Sequence, residues 1–161
     1  MRWWIPLVTG EGPGKRSGAS MTTMSGSEAV VIGGFNGVDM LSDVHVLDMN
    51  EMHWRRVEVR GVGLPLPPLV GHAVVRVPNT NRVVLIGGSC SPEHLLTASF
   101  LLDPHSSTGA IVAAIGLNGE GNNPAPRFWH RASVTADGKV IIFGGSSDRG
   151  IAFADFHTLN L

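Results

Sequence analysis

Ala29-Val30-Val31-Ile32-Gly33-Gly34 decides the fold, because it returns as Val83-Val84-Leu85-Ile86-Gly87-Gly88 and again as Val140-Ile141-Ile142-Phe143-Gly144-Gly145. The first glycines of the pairs are 54 and 57 residues apart, and a period of this size marks a chain built from repeated supersecondary units. A half-exposed strand would alternate apolar with polar residues; these nearly unbroken aliphatic runs read instead as strands buried on both faces. A buried helix would need more length, and β-branched residues dominate. The glycines that close each run lack a Cβ, so neighbouring units can pack closely there and the chain can turn with positive φ into a loop.

The flanks keep the same register. Upstream, Arg16-Ser17-Gly18-Ala19-Ser20, Leu69-Val70-Gly71-His72-Ala73 and Arg127-Phe128-Trp129-His130-Arg131 each begin 17 or 18 positions before the first glycine of their pair and read as a turn leading into a short strand. Downstream, Val44-His45-Val46-Leu47-Asp48, Phe100-Leu101-Leu102-Asp103 and Phe156-His157-Thr158-Leu159-Asn160 read as third strands. Each ends in an Asp or Asn able to bond its own backbone and start the next turn. A fourth, outer strand follows as His53-Trp54-Arg55-Arg56-Val57-Glu58-Val59 and, less strongly patterned, as Ala110-Ile111-Val112-Ala113-Ala114-Ile115. Each unit therefore has four strands.

Pro126-Arg127-x-x-His130, an aliphatic run closed by Gly-Gly, a third strand ending in Asp, and then Trp54 together resemble the kelch repeat, over nearly the whole chain. Kelch repeats run to about 50 residues. The resemblance implies an all-β, kelch-type β-propeller with about three four-stranded antiparallel blades. The chain departs from the pattern in having no Tyr, in carrying Leu69 where the other repeats have Arg, and in lacking a Trp in the second outer strand. The expected division is 1–15 as a stray outer strand (residues 1–8, with Trp3 and Trp4) and linker, 16–68 as repeat 1, 69–126 as repeat 2, and 127–161 as repeat 3 without its fourth strand. Propellers need about four blades or more to surround an axis. Two arrangements stay open: a piece of a longer kelch protein, with adhesive terminal faces, or a homodimer in which two copies complete a six-bladed ring and each N-terminal strand finishes the last blade of the other.

Composition narrows the function classes. The 21 Gly and 10 Pro beside 43% hydrophobic residues suit many short strands joined by tight turns. Twelve basic against thirteen acidic side chains leave a formal net charge of −1, too little field to attract a phosphate backbone, so no nucleic-acid partner is expected. Cys90 is the single cysteine; an intrachain disulfide and a CxxC zinc site are excluded, and a cytoplasmic or nuclear setting is expected. Residues 1–8, interrupted by Pro6, are too short for a signal-peptide core or a membrane span, so neither export nor a membrane partner is expected.

No reaction is signalled. The histidines at 45, 53, 72, 94, 105, 130 and 157 lack metal-site spacing, and no cofactor is expected. The absence of Tyr excludes the copper–tyrosine radical chemistry of similar propeller oxidases. Residues 10–16 are not a phosphate loop, since Thr9 and Arg16 stand where a glycine and a hydroxyl residue are required. No nucleophile elbow occurs, no catalytic residue is assigned, and an enzyme is not expected. Residues 119–126 read as a connecting loop.

Recognition is expected in the loops after the double glycines, since variable loops on a rigid scaffold commonly carry it. These contain Phe35, Asn36 and Asp39; Ser89, Glu93 and His94; and Ser146, Asp148 and Arg149. Arg16 and Arg127 either bond strand-end carbonyls or a carboxylate, or face the channel and touch a ligand, as the equivalent arginine does in some kelch relatives. His72 and His130 are expected to bond backbone within their blades. The candidate partner-binding set is Arg16, Asn36, Asp39, Glu93, His94, Arg127, Asp148 and Arg149, in a module that binds another protein. The alternatives are a metal-assisted kelch enzyme of the specifier kind, with His94 or His157 as a ligand and Asp155 on the same strand face, or an inactive fragment of a longer kelch protein.

Overall fold

The computed structural model describes residues 1–24, 26–59, 65–105, 111–115 and 123–160. In chain order the strands are β1 (Thr9–Gly10), β2 (Ser20–Thr23), β3 (Glu28–Phe35), β4 (Met40–Asp48), β5 (His53–Val57), β6 (Ala73–Arg76), β7 (Val83–Ile86), β8 (Ser89–Ser91), β9 (His94–Leu95), β10 (Ser99–Leu102), β11 (Ile111–Ile115), β12 (Arg131–Val134), β13 (Val140–Phe143) and β14 (Phe156–Leu159). Among the described residues there is no helix, and none long and apolar enough to cross a membrane.

Each glycine-closed run lies one strand in from the inner edge of its own sheet. Sheet 1 runs β1-β5-β4-β3-β2, sheet 2 runs β11-β10-β7-β6, and sheet 3 runs β12-β13-β14; β8 and β9 form a separate hairpin. Apart from β1, pairing within the sheets is antiparallel, with central registers such as Val30↔Val46, Leu85↔Phe100 and Ile142↔His157. The inner strands β2, β6 and β12 are neighbours and line one groove of about 510 Å³, with Met21, Thr22 and Thr23 facing residues 74–76 and 132–134. The three sheets thus bring their first strands together along one groove.

Two apolar layers hold the sheets face to face. Val30, Ile32, Val44 and Val46 of sheet 1 pack against Val74, Val83, Leu85, Phe100 and Leu102 of sheet 2. Val75, Val84 and Ile86 on the opposite face of sheet 2 pack against Val140 and Ile142 of sheet 3. The run of sheet 2 is apolar on both faces because neighbouring sheets cover both, and each fully buried Val or Ile contributes roughly 1.5–3 kcal/mol. Asp48 and Asp103 act as the sequence suggested: the Asp48 Oδ1 accepts from the backbone of Asn50 (2.8 Å), and the Asp103 Oδ1 from that of His105 (3.0 Å).

Three expectations change. Residues 1–8 form no strand; instead Thr9–Gly10 lies parallel to β5 on the outer edge of sheet 1, and Trp3 and Trp4 are exposed. Two residues offer too short a pattern to show a parallel partner in sequence. The third aliphatic run is covered on one face only: Phe143 and its cross-strand partner Phe156 are 57% and 60% exposed, because no described sheet packs beyond sheet 3. The loop after Gly88 is itself the β8–β9 hairpin. Ala110, residues 119–122 and Leu161, to which strand or linker roles were assigned, lie outside the described residues.

Candidate functional site

All three post-glycine loops leave the same end of the packed sheets, and that end is tied together by backbone. The Leu69 carbonyl accepts from the Gly34 N–H (2.7 Å) and the Arg127 carbonyl from the Gly88 N–H (2.9 Å). Close approach makes these glycines obligatory: a Cβ on Gly88 would stand 2.7 Å from the His72 Cβ. The Gly71 N–H also donates to the Gly18 carbonyl (2.9 Å) and the Trp129 N–H to the Gly71 carbonyl (2.7 Å).

Arg16 and Arg127 close this end of sheets 1 and 3 in the same way. Arg16 donates to the Gly33 carbonyl (2.9 Å) and, with both terminal nitrogens, to the Asp43 carboxylate (2.6 and 3.0 Å), while the His45 Nε2 lies 2.9 Å from Asp43 Oδ2. Arg127 donates to the Gly144 carbonyl (3.0 Å) and to both oxygens of Asp155 (2.5 and 2.7 Å), and the His157 Nε2 lies 2.9 Å from Asp155 Oδ2. Arg127 is 2% exposed and its guanidinium stacks 4.3 Å from the Phe153 ring centre. Burial raises the Asp43 pKa, but the hydrogen bonds from Arg16 and His45 outweigh it and hold the carboxyl below its ordinary value. Arg127, then His157, hold Asp155 well below the carboxylate range. Charge-assisted bidentate bonding of this kind fixes geometry as well as energy. The structure therefore presents the carbonyl-and-carboxylate alternative of the two considered for these arginines.

Sheet 2 replaces the whole clamp. The registers Ser17↔Phe35, Val70↔Ser89 and Phe128↔Ser146 make Leu69 the counterpart of the arginines, and the registers Ile32↔Val44, Ile86↔Ser99 and Phe143↔Phe156 make Ala98 and Phe100 the counterparts of the Asp and His. Leu69 and Phe100 are buried in the layer between sheets 1 and 2, with Ala98 against it.

His72 and His130 depart from the expected bonding within their own blades: among the described residues neither ring nitrogen of His72 has a hydrogen-bond partner, and His130 faces the backbone of Ile86 in the preceding sheet. They sit between sheets, each with its Cε1 facing a glycine of the preceding sheet, His72 against Gly33 and His130 against Gly87. Burial, then the charge of His130, brings His72 down to about 4. Burial, then the charge of Arg127, brings His130 down to about 4, a shift that the Ile86 backbone opposes only in part. Both are neutral packing groups at neutral pH. Ala19 occupies the same position in sheet 1.

Of the candidate binding residues, Asn36 is occupied locally: its Oδ1 accepts from the backbone of Val38 (2.8 Å) and Asp39 (2.7 Å) and shapes the first loop. Asp39, Glu93, His94, Asp148 and Arg149 are exposed, although the His94 Nδ1 lies 3.1 Å from Ser91 Oγ. In the third loop Ser147 Oγ accepts from the Arg149 and Ile151 backbone (3.3 and 3.2 Å). An open cleft of about 710 Å³ adjoins the clamp of sheet 1, lined by Glu11, Met40, Asp43, Arg56 and Glu58 among others. Sequence reasoning missed Asp43 and His45, although Asp-x-His at the start of the third strand recurs as Asp155-x-His157. It also missed Trp129, 52% exposed where sheet 3 bonds to Gly71 of sheet 2. Among the described residues no group of three His, Cys, Asp or Glu is placed to hold a metal ion, and both oxygens of Asp155 are engaged by Arg127 and His157.

The chain is similar to several kelch-containing proteins. It is 23% identical over 159 residues to "Rab9 effector protein with kelch motifs" of Xenopus laevis, covering 95% of this chain and 41% of that protein. It is 27% identical over 154 residues to "Kelch domain-containing protein 2" of Bos taurus, covering 91% and 34%. Identity to "Adagio protein 3" of Arabidopsis thaliana reaches 31% over 150 residues, covering 92% and 23%. The chain spans less than half the length of each of these relatives. No family model matches it.

Proposed function

We propose that this chain is a set of kelch-type propeller blades that serves as a protein-interaction module, holding another protein through the loops after Gly34, Gly88 and Gly145 and performing no covalent chemistry. One observation carries the reading: at one end of the sheets Arg16, Asp43, Arg127 and Asp155 are engaged with one another in the scaffold, while three unlike loops turn Asp39, Glu93, His94, Asp148 and Arg149 to solvent. A rigid repeat frame bearing dissimilar exposed loops is suited to recognition. The similarity to kelch-containing proteins supports it, one of them named as an effector of Rab9. A cytoplasmic or nuclear site of action belongs to this proposal.

The test is affinity capture with wild type and the Asp39→Ala/His94→Ala/Arg149→Ala variant side by side. The variant should lose most of the captured partner with an unchanged Tm; equal capture would remove these loops from the reading.

Ring closure is part of the proposal. The bare face of sheet 3, with Phe143 and Phe156, corresponds to faces that in sheets 1 and 2 are covered by the next sheet. A further blade belongs there, supplied either by a longer chain or by a second copy. Light scattering separates the two: a monodisperse 17.0 kDa monomer free of aggregation would exclude the second copy.

A further inference from the structure

Gly18, Gly71 and Trp129 occupy one position in the three repeats, all with left-handed backbone at φ 65°, 66° and 60°. Two repeats meet this demand with the residue that tolerates it, and the third with one of the bulkiest side chains, for which such a φ is a genuine outlier. Burial does not explain the exchange, since the indole is 52% exposed. It lies across the other two repeats: a Cβ built on Gly71 would stand 3.2 Å from the indole Cδ2, and one on Gly18 2.8 Å from its far edge at Cη2. The ring system thus lies over Gly71 and Gly18 of the other two sheets, beside the Phe128 ring of its own (centroids 6.0 Å apart), and about half of the residue's surface is open to solvent. Strain retained at an exposed aromatic residue points to function.

Resting on the loop-binding reading above, we propose that Trp129 is the anchor of the site and that it receives a lysine or arginine side chain of the partner protein. An open indole face attracts a cation through its quadrupole more strongly than any other side-chain ring. The surrounding loops supply the matching field: Asp39, Glu93 and Asp148 place one exposed carboxylate in each loop, against Arg149 in the loops and Lys15 in the lead-in to sheet 1. Arg16 and Arg127 do not oppose a cation, being neutralised by Asp43 and Asp155.

The experiment follows the indole N–H resonances of Trp3, Trp4, Trp54 and Trp129 in the 15N-labelled full chain, with Trp129 assigned by its loss in Trp129→Gly. The probes are a capped tripeptide with arginine between two glycines and its glutamate counterpart. The arginine peptide should move the Trp129 signal saturably, about fivefold more weakly after Asp39→Asn/Glu93→Gln/Asp148→Asn, and the glutamate peptide should not. Trp129→Gly should keep or raise the Tm, because glycine relieves the left-handed backbone. A Trp129 signal unmoved by the arginine peptide, an equal response to glutamate, or a Tm several degrees lower in Trp129→Gly would overturn the proposal. If Asp39→Ala/His94→Ala/Arg149→Ala still releases a captured partner while Trp129 stays silent, loop binding stands and this inference alone fails.

Discussion

Sheets 1 and 3 fasten their loop ends with an arginine, a carboxylate and an imidazole, whereas sheet 2 does the same job with Leu69, Ala98 and Phe100. The difference is all-or-none for a physical reason. Losing the arginine alone would strand a half-buried carboxylate, and losing the carboxylate alone would strand a guanidinium as covered as Arg127, either of which is costly. Replacing all three with packed apolar groups is close to neutral. The middle sheet, covered on both faces, accommodates the apolar solution. The flanking sheets retain the polar one, with Asp155 and His157 partly open to water.

Acid should break the comparison most forcefully. His72 and His130 have folded pKa values near 4, below the ordinary 6.5, so the unfolded chain binds their protons first and stability is greatest above about pH 6.5. It falls as pH drops from there toward 4, by on the order of 2 kcal/mol per histidine between pH 7.5 and 5. Below that range, protonation of Asp43 and Asp155, whose values are lowered, opens the clamps as well. Thermal melts across this range should show the loss, and His72→Phe should remove about half of it; a flat profile between pH 7.5 and 5 would contradict the buried neutral imidazoles.

Asp43→Ala comes next. It leaves Arg16, whose side chain is 9% exposed, without its carboxylate, and should cost about 3 kcal/mol in urea unfolding. Asp155→Ala should cost at least as much, because the Arg127 it strands is only 2% exposed, although the carboxylate itself is 41% exposed. A clearly smaller loss at Asp155 would mean that exposure of the carboxylate, and not burial of the guanidinium, sets the strength. Smallest of all should be the graft of the middle solution into sheet 1, Arg16→Leu/Asp43→Ala/His45→Phe, which is expected within about 1 kcal/mol of wild type. A loss as large as that of Asp43→Ala would show that the clamp is needed for more than satisfying its own charges.

The period of the aliphatic runs was legible because burial on both faces writes itself directly into residue type, and the runs emerged as strands of three separate sheets. What that pattern could not tell was which face of the third run lacks a cover, since Ile142 and Phe143 look alike in sequence and differ only in what lies opposite. The clamps were half legible. Arg16 and Arg127 stood out, but their partners lie some 27 residues downstream, and only the coincidence that Asp-x-His vanishes from the repeat that also lacks Arg links them. Trp129 was missed because its meaning lies in a backbone angle it shares with two glycines. His72 and His130 were assigned to backbone bonding within their own blades because buried polar groups are usually bonded, whereas here both rings pack against glycines of the preceding sheet, where His130 meets the Ile86 backbone.

The hydrogen bonds from Gly71 to Gly18 and from Trp129 to Gly71 run in one sense from sheet to sheet. Because the three sheets are also built from successive stretches of chain, a pull applied to the chain termini meets them one after another rather than all at once. Extension at constant speed should give a short staircase of force peaks, one for each sheet released, in place of a single rupture.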